Sequence, residues 1–538
     1  MTTTSSFDAI VIGGGANGLV AATALGKAGR SVLLLERADA PGGMGRTIEI
    51  APGFRVAPLD IDAGWIPPAV RDGLGLGGLE PVPHEIPLTV AAGPGEFLPV
   101  PRSPELAAAA IRRCSVRDAD RWGAFVALVA DLHGFLARLY ERPAPDIGAR
   151  GPRELLALAA LGRRARGLGR RRMIDLLRIL PMPVEELLDE WFETEALKAA
   201  IASGGVQGIR QGPRSGGTAF VLLHHLVGAP SGTMRGRGSW PGGPEDLQVA
   251  LWAAARARGV TIRTGAEVER ILVRDDRVVG VALTSGEELD APVVLSSADP
   301  ARTLLDLVDP VWLDPELLLA VRNIRFRGVE SRVLFALDGL PGFPGLPHPE
   351  QALTGVVTLT PTLAGMERAY DAAKYGLVAE QPHVEVSVPT IASPALAPAG
   401  KHVLVARVQW TPYALRGGET WDEPRAATLG DQVQRAIAAV ALGFGDRVLR
   451  RVVLTPKDLE ERYGLTEGAP SHGELGLDQI LFMRPVAGCG RYATPIDGLY
   501  LCGAGTHPGP GIPGGPGWLA ARRALRDGPR LGRRRSGP

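Results

Sequence analysis

A glycine-rich turn between two apolar runs near the N-terminus is the strongest constraint on the fold of this chain. Residues 9–12 are apolar and mostly β-branched, which is typical of a buried strand. Three glycines follow in G-x-G-x-x-G spacing and open a segment of helical periodicity: Gly13, Gly15 and Gly18. A second apolar run at residues 32–35 ends at Glu36, 18 residues after Gly18. Strand, glycines, helix, strand and acid in this order predict a dinucleotide-binding βαβ unit.

Each of these residues has a defined task in holding a dinucleotide. Gly13 permits the tight turn, Gly15 allows a pyrophosphate to approach the backbone, and Gly18 lets the helix pack closely on the strand. The free N–H groups and the positive dipole of the helix N-terminus favour that pyrophosphate. The Glu36 carboxylate can accept hydrogen bonds from ribose hydroxyls, which favours FAD or NAD over NADP.

The residues after Glu36 and a second glycine-rich turn near the C-terminus favour FAD. Gly42, Gly43 and Arg46 resemble the extension of the motif in two-dinucleotide-binding-domain flavoproteins, where the paired glycines lie near the flavin end of FAD. Residues 503–514 read G-A-G-T-H-P-G-P-G-I-P-G, between a predicted strand and a predicted helix. This stretch resembles the C-terminal FAD signature of bacterial phytoene desaturases. Backbone N–H groups in such a turn can stabilise negative charge on a reduced flavin.

The resemblance runs from residue 7 to about residue 526. Residues 192–225 and 472–485 are similar to a sister branch, the phytoene-dehydrogenase-related oxidoreductases that include pyridine nucleotide-disulfide oxidoreductase domain-containing protein 2. The chain departs from this branch at residues 239–243, where S-W-P-G-G stands in place of the usual G-G-M-G. The cysteines at 114, 489 and 502 form no C-x-x-C, so we do not expect the disulfide chemistry in the family name.

The resemblance implies an FAD-dependent oxidoreductase of the dehydrogenase or desaturase type. Hydride would pass from an apolar or conjugated small-molecule substrate to the flavin, and electrons would then pass to an unknown acceptor such as oxygen or a quinone. Two alternatives stay open: an amine-oxidase-like flavin oxidase, and a flavin-bearing regulatory or interaction protein with little turnover. A second G-x-G-x-x-G after a predicted strand is absent, so we expect no NAD(P)H domain.

The resemblance and the spread of the FAD motifs imply an α/β fold with a discontinuous cofactor domain. We expect a two-dinucleotide-binding-domain flavoprotein with a Rossmann-like FAD domain and an α+β substrate domain. The FAD domain is expected at residues 1–70, 235–305 and 480–538, and the substrate domain at residues 71–234 and 306–479. The residues expected to bind FAD are Gly13, Gly15, Ala16, Asn17, Gly18, Glu36, Arg37, Gly43, Arg46, Val268, Gly503, Ala504, Ile512, Pro513 and Gly514.

Two residues near the C-terminal motif are the candidate catalytic groups. His507 lies inside the motif and titrates near neutrality, so it could act as an acid or base, or fix the loop through hydrogen bonds. Arg484 could polarise the flavin, bind a substrate anion or form a structural ion pair. Weaker candidates are Asp62, Tyr492, His224 and His225. The cysteines and histidines form no metal-ligand pattern, so we expect no metal site.

Charge and composition limit the partners and the location. The net charge is +1, which gives no reason to expect a nucleic-acid partner. The first residues lack the pattern of a signal peptide, and no uninterrupted apolar run approaches a membrane span, so we expect a cytoplasmic protein. Residues 155–180 combine leucine-rich turns with six arginines between 163 and 172. This pattern predicts either peripheral contact with an anionic membrane or the solvated face of a helix pair.

Overall fold

A computed structural model describes residues 7–59, 63–145 and 151–531 of the chain. Asp62, one of the weaker candidates, lies outside the described residues. The strands, in chain order, are β1 (Ala9–Ile12), β2 (Val32–Leu35), β3 (Ile48–Ala51), β4 (Phe54–Val56), β5 (Val82–Pro83), β6 (Leu88–Gly93), β7 (Glu96–Val100), β8 (Gly238–Ser239), β9 (Thr261–Arg263), β10 (Val268–Arg274), β11 (Arg277–Leu283), β12 (Glu288–Asp290), β13 (Val294–Ser296), β14 (Glu330–Leu337), β15 (Val356–Thr358), β16 (His383–Ser387), β17 (His402–Gln409), β18 (Val448–Leu454) and β19 (Leu499–Leu501).

Helices connect and cover these strands. They are α1 (Ala16–Lys27), α2 (Pro68–Leu74), α3 (Pro104–Ile111), α4 (Val116–Tyr140), α5 (Pro152–Gly167), α6 (Gly169–Ile179), α7 (Val184–Asp189), α8 (Glu195–Gly205), α9 (Thr218–His225), α10 (Asp246–Ala257), α11 (Pro315–Arg322), α12 (Pro349–Thr354), α13 (Leu363–Lys374), α14 (Pro389–Ala392), α15 (Glu423–Ala438), α16 (Phe444–Arg447), α17 (Pro456–Tyr463) and α18 (Gly515–Leu531). The glycine motif therefore lies between β1 and α1, as its spacing predicts.

The first main sheet is parallel, with strand order β19–β13–β1–β2–β9. Its strands come from three separate parts of the chain, residues 9–35, 261–296 and 499–501. One face, with Val11 and Leu34, packs against α1, α10 and α18. The other face packs against the small antiparallel sheet β10–β11–β12, which takes the place of the helices of a doubly wound fold. The predicted α/β fold is confirmed, with this difference on the second face.

The second main sheet has seven strands in the order β18–β14–β17–β16–β15–β6–β7. All its pairs are antiparallel except β15 with β6. Side chains such as Phe335 and Val384 turn one face toward an apolar cluster that includes residues of α12 and α15. The alternate residues lie on the opposite face, where Arg407 pairs with Arg332 on one side and with Glu385 on the other. A row of charged side chains therefore crosses this sheet.

One helix of the described residues, α4, is long and apolar enough to cross a membrane by length and composition. Half of its most apolar stretch is buried inside the fold. Phe125 and Trp122 of this helix pack against Phe192 with ring centroids 4.9 and 5.9 Å away. These contacts belong to an apolar cluster that also contains residues of α8 and α9.

Candidate active site

Two of the three glycines in the loop between β1 and α1 are required by the backbone, and the third leaves space for a ligand. Gly13 has a φ of +93°, a conformation that favours glycine. A Cβ atom on Gly18 would lie 1.9 Å from the Gly13 carbonyl oxygen, so only glycine fits where the helix crosses the strand. A Cβ atom on Gly15 would meet only the Cα atom of Gly43, at 3.7 Å. Gly13 and Gly18 thus serve the fold, whereas the backbone at Gly15 stays open to a ligand.

The N-terminus of α1 faces a large cavity. Its N-cap residue, Gly15, has no side-chain cap, so the first N–H groups of the helix need partners from elsewhere. Gly13, Gly15, Ala16 and Asn17 line the cavity. The Asn17 side-chain oxygen accepts a hydrogen bond from the Gly514 N–H at 2.9 Å, which holds the C-terminal glycine turn against the start of α1. An open helix N-terminus of this kind suits a pyrophosphate.

The carboxylate of Glu36 lies at one end of the same cavity. Its Oε2 accepts a hydrogen bond from the Gly14 N–H at 2.7 Å, and its Oε1 accepts one from the Ala38 N–H at 2.9 Å. These bonds fix the carboxylate and leave further lone pairs on both oxygens for ribose hydroxyls. Val268 also lines the cavity, and the Ala266 N–H joins its segment to the Glu36 carbonyl at 2.9 Å. This end of the cavity suits an adenosine.

Two arginines and a glycine line the cavity beyond the glycine loop: Arg37, Arg46 and Gly43. A Cβ atom on Gly43 would lie 2.9 Å from the Cα atom of Gly15, so the two loops touch. The Arg46 guanidinium lies over the Tyr463 ring at 5.7 Å, and Arg37 donates to a carbonyl of α17 at 3.1 Å. Both contacts hold the cations beside the position that suits the pyrophosphate, whose negative charge they would balance.

The C-terminal glycine turn also borders the cavity. Ala504, Ile512 and Pro513 line it. Gly503 lies behind the lining, where a Cβ atom would come within 2.5 Å of a backbone carbonyl oxygen. The residues present therefore fit FAD, with an acid for the ribose, amides and cations for the pyrophosphate, and a glycine turn for the flavin end.

Neither candidate catalytic residue is part of the cavity lining. His507 is fully buried, and its Nε2 donates to the Arg142 carbonyl at 2.9 Å. Burial lowers the pKa of His507 to about 4, so the ring is neutral at pH 7. Arg484 is also fully buried and donates to the carbonyls of Ala504 and Ser471 at 3.1 and 2.5 Å. Both side chains fix the backbone of the flavin-motif loops, and Arg484 does so through carbonyl oxygens rather than through an ion pair.

Among the weaker candidates within the described ranges, His225 alone lines the cavity. His224 accepts a hydrogen bond from the Tyr140 hydroxyl at 2.9 Å and donates to the Pro510 carbonyl, also at 2.9 Å. Burial lowers the pKa of His224 to about 3, so it stays neutral and supports the C-terminal glycine turn. Tyr492 is buried in the core of the parallel-sheet domain.

A set of buried charged side chains on and beside the seven-stranded sheet lines another part of the cavity, and sequence reasoning missed it. The set, which we call the charged wall, consists of Arg235, Glu330, Arg332, Glu385 and Arg407. Arg235 donates two parallel hydrogen bonds to Glu385, at 3.0 and 2.6 Å. Arg332 donates to Glu330 at 2.8 Å. Arg407 lies between the two acids, with Nη1 3.3 Å from Glu385 and Nε 3.1 Å from Glu330.

Mutual contacts keep the charged wall ionised despite its burial. Burial alone would raise the pKa of Glu385, but the Arg235 and Arg407 guanidiniums hold that pKa well below its usual range. Arg407 and Arg332 lower the pKa of Glu330 in the same way. Burial lowers the pKa of Arg407 to about 10, so this group remains charged at neutral pH. The charged wall is therefore a fixed polar surface inside the cavity.

Another part of the cavity lining is apolar. It is formed by side chains that belong to the helical core: Leu222, Leu226, Met234, Leu475 and Ile512. We call these residues the apolar wall. Gly204 of α8 also lines the cavity, and a Cβ atom there would lie 2.9 Å from the Leu222 side chain. The cavity can therefore hold a ligand with an apolar body and a polar group.

The fold and the cavity together define a flavin-dependent oxidoreductase. The chain matches the family described as DAO, FAD dependent oxidoreductase, over residues 8–322. The protein therefore belongs to the FAD-dependent oxidoreductase family; it is an enzyme, and its cofactor is FAD.

Three known proteins show where the chain stands within this class. It is 35% identical to pyridine nucleotide-disulfide oxidoreductase domain-containing protein 2 of Rattus norvegicus, over 97% of this chain and 94% of the relative. It is 25% identical to a neurosporene-forming phytoene desaturase of Cereibacter sphaeroides, over 94% and 92% of the two chains. These relatives confirm the predicted resemblance. An engineered putrescine oxidase superposes with a TM-score of 0.60 over 98% of this chain and 99% of its own, and at 15% identity it shows the shared fold alone.

Proposed function

We propose that this enzyme is a dehydrogenase or desaturase that removes hydride from an apolar or conjugated small molecule. The observation that carries the proposal is that Gly15 of the glycine loop, Leu226 of the apolar wall and Arg407 of the charged wall line the same cavity. A substrate held there would reach the flavin end of the FAD groove. When bound, FAD supplies the two-electron acceptor for the hydride. Oxygen or a quinone is our proposal for the final electron acceptor.

His472 is the residue that we propose takes the proton in place of His507. It lines the cavity, and its Nδ1 is buried without a hydrogen-bond partner among the described residues. Its φ of +53° is uncommon for a residue other than glycine. Burial lowers the pKa of His472, so the ring is a neutral base at pH 7. When one substrate carbon loses hydride, the His472 Nδ1 can accept a proton from the adjacent substrate carbon. The two carbons are then joined by a double bond.

The amine-oxidase-like alternative is less well supported by the cavity lining. An alkylamine is a cation near pH 7, and inside the cavity it would meet the guanidinium groups of Arg332 and Arg407. The acids that could attract it, Glu330 and Glu385, are already paired with arginines. The shared fold with putrescine oxidase carries no information about the substrate.

Anaerobic mixing of the holoenzyme with candidate substrates tests the proposed reaction. We expect loss of flavin absorbance with partly saturated isoprenoid or fatty chains, and no loss with alkylamines of matched chain length. Bleaching by the amines alone would contradict the dehydrogenase proposal. His472→Gln should slow bleaching while FAD content is kept, and the matched control His348→Gln should not, because His348 is exposed at the start of α12.

We also propose a cytoplasmic enzyme that contacts an anionic membrane through α5 and α6. Four large apolar side chains are exposed on these helices, by 55, 70, 51 and 67%: Leu155, Leu156, Ile174 and Leu177. Leu176 and Ile179, on the opposite side of α6, are buried in the helical core. The same two helices carry exposed arginines: Arg163, Arg166, Arg170 and Arg171. Exposed leucines beside cations suit the headgroup region of an anionic bilayer, and the membrane could deliver an apolar substrate.

Sedimentation with anionic liposomes at low salt tests this contact. Of the six arginines of the segment, Arg172 is held by Asp131 at 2.8 Å, so the other five are the ones to change. Each basic residue near an anionic surface contributes about 1 kcal/mol at low salt. Replacement of the five with glutamine should therefore abolish sedimentation while FAD content is kept.

The apolar contribution has a matched control. Leu156→Ser with Leu177→Ser should weaken liposome binding. Val311→Ser with Leu442→Ser should not, although these two side chains are 76 and 73% exposed elsewhere on the surface. Equal sedimentation of all variants and the wild type would exclude membrane contact through α5 and α6.

A further inference from the structure

The guanidinium group of Arg407 in the charged wall contacts other side chains through only part of its nitrogen atoms. Arg407 is 8% exposed and lines the cavity. Its Nε faces Glu330 and its Nη1 donates to Glu385, whereas its Nη2 donates no hydrogen bond within the described residues. A charged donor that faces a cavity without a partner from the protein can bind a ligand that provides an acceptor.

The second unused group is the hydroxyl of Ser387. Its Oγ is buried and has no hydrogen-bond partner in the described part of the chain, and Ser387 lines the cavity. Ser387 follows Glu385 by two residues on β16, so the two side chains lie on the same face of the sheet. Arg407 of β17 pairs directly with Glu385. The unused donors of Ser387 and Arg407 therefore belong to neighbouring strands on the cavity face.

The acids of the charged wall are already engaged by arginines. Both oxygens of Glu385 accept hydrogen bonds from Arg235, at 3.0 and 2.6 Å. One oxygen of Glu330 accepts from Arg332 at 2.8 Å, and the other lies 3.1 Å from the Arg407 Nε. The hydrogen-bonding groups of the charged wall that remain available to a ligand are therefore donors rather than acceptors. The wall therefore selects a ligand group that accepts hydrogen bonds and carries negative charge.

We propose that the substrate is an amphiphilic carboxylic acid whose carboxylate binds Arg407 Nη2 and Ser387 Oγ. A carboxylate has two oxygens, one for each donor. Its apolar or conjugated chain lies along Leu222, Leu226 and Met234 of the apolar wall, which line the same cavity. This inference rests on the proposed function and narrows its substrate from any apolar molecule to one with an anionic end.

Three ligands of one chain length test this inference on the FAD-loaded enzyme: octanoate, 1-octanol and octylamine. Binding is measured by calorimetry and, in parallel, by the perturbation of the flavin absorbance spectrum. We expect octanoate to bind at least about tenfold more tightly than 1-octanol, because a hydrogen bond to a charged group changes affinity by roughly that factor or more. We expect octylamine to bind more weakly than both.

Two variants assign the preference to the proposed groups. Arg407→Gln should remove the preference for octanoate over 1-octanol, although it also takes a partner from Glu330. Ser387→Ala leaves the ion pairs intact. It should weaken the binding of octanoate several-fold without changing the binding of 1-octanol. Its matched control is Ser331→Ala, because the buried Ser331 hydroxyl on β14 also has no hydrogen-bond partner among the described residues but is not part of the cavity lining.

The outcomes separate this inference from the proposed function. Equal binding of octanoate and 1-octanol, or no binding of either, would overturn the carboxylate site and leave the flavin reaction standing. An octanoate preference that Ser387→Ala and Arg407→Gln both leave unchanged would overturn it as well. Octanoate that binds through these residues without perturbing the flavin spectrum would instead contradict the proposed function, because the site would then lie away from the flavin.

Discussion

A pair of alanine substitutions in the glycine loop separates the residue that serves the fold from the residue that serves FAD. In Gly18→Ala the new Cβ atom would lie 1.9 Å from the Gly13 carbonyl oxygen, so α1 has to move away from β1. In Gly15→Ala the nearest protein atom is the Gly43 Cα at 3.7 Å, and the φ of −73° at Gly15 suits alanine. The protein alone therefore tolerates the second change but not the first.

The expected magnitudes follow from these distances. Overpacking a close contact costs about 1–3 kcal/mol, which we assign to Gly18→Ala in the absence of FAD. Alanine in place of glycine at a helix N-cap costs less, below about 1 kcal/mol. Bound FAD at a hundred times its dissociation constant would add about 2.7 kcal/mol to the wild type. Both variants should lose most of that gain, because the pyrophosphate no longer reaches the helix N-terminus.

Thermal unfolding of the FAD-free and FAD-supplemented proteins measures both effects in one assay. FAD-free Gly15→Ala should melt close to the wild type, and FAD should raise its melting temperature little. FAD-free Gly18→Ala should already melt lower. If Gly15→Ala retained the full FAD-induced shift of the wild type, the assignment of the pyrophosphate to this loop would be refuted.

Two further predictions follow from buried charges and histidines. Glu36→Ala should weaken FAD binding about tenfold or more without abolishing it, because the hydrogen bonds to ribose are lost whereas the groups that suit the pyrophosphate remain; titration of flavin fluorescence measures this, and loss of all binding would contradict it. Burial lowers the pKa values of His224 and His507 to about 3 and 4, from the ordinary 6.5. Between the lowered values and 6.5, the unfolded chain therefore binds more protons than the folded protein. Stability should therefore fall as the pH drops below about 6.5. The melting temperature measured as a function of pH should fall less steeply in His224→Gln, and an unchanged slope would contradict the lowered pKa of His224.

The βαβ unit with the glycine loop and Glu36 could be predicted because its information is local. Gly13, Gly15 and Gly18 lie within six consecutive residues, and each has a steric reason that a sequence alone reveals. Glu36 follows at the end of the next strand, which places it at the same edge of a parallel sheet. Such features need no knowledge of the rest of the chain.

The charged wall could not be predicted because its residues meet only through strand register. Glu330, Glu385 and Arg407 lie on three strands of the seven-stranded sheet and are separated by at least 22 residues along the chain. A signal did exist, since Glu330 and Arg332 are alternate charges at the start of an otherwise apolar strand. Recognising it would have required the pairing of β14, β16 and β17.

His507 and Arg484 show a different limit of sequence reasoning. His507 lies inside the C-terminal motif and Arg484 precedes it, but the sequence does not show which way either side chain turns. In the structure both turn away from the cavity and bond to backbone carbonyls. His472, which lines the cavity, stood in a stretch that was singled out only for its family resemblance.

A crystal structure of the FAD-loaded enzyme would show whether one cavity holds both FAD and substrate. We predict the ribose at Glu36, the pyrophosphate at the N-terminus of α1, and the flavin ring beside Ile512, with its open side toward Leu226 and Arg407 in the substrate domain. FAD bound with its flavin ring directed away from the charged and apolar walls would contradict a shared cavity for FAD and substrate.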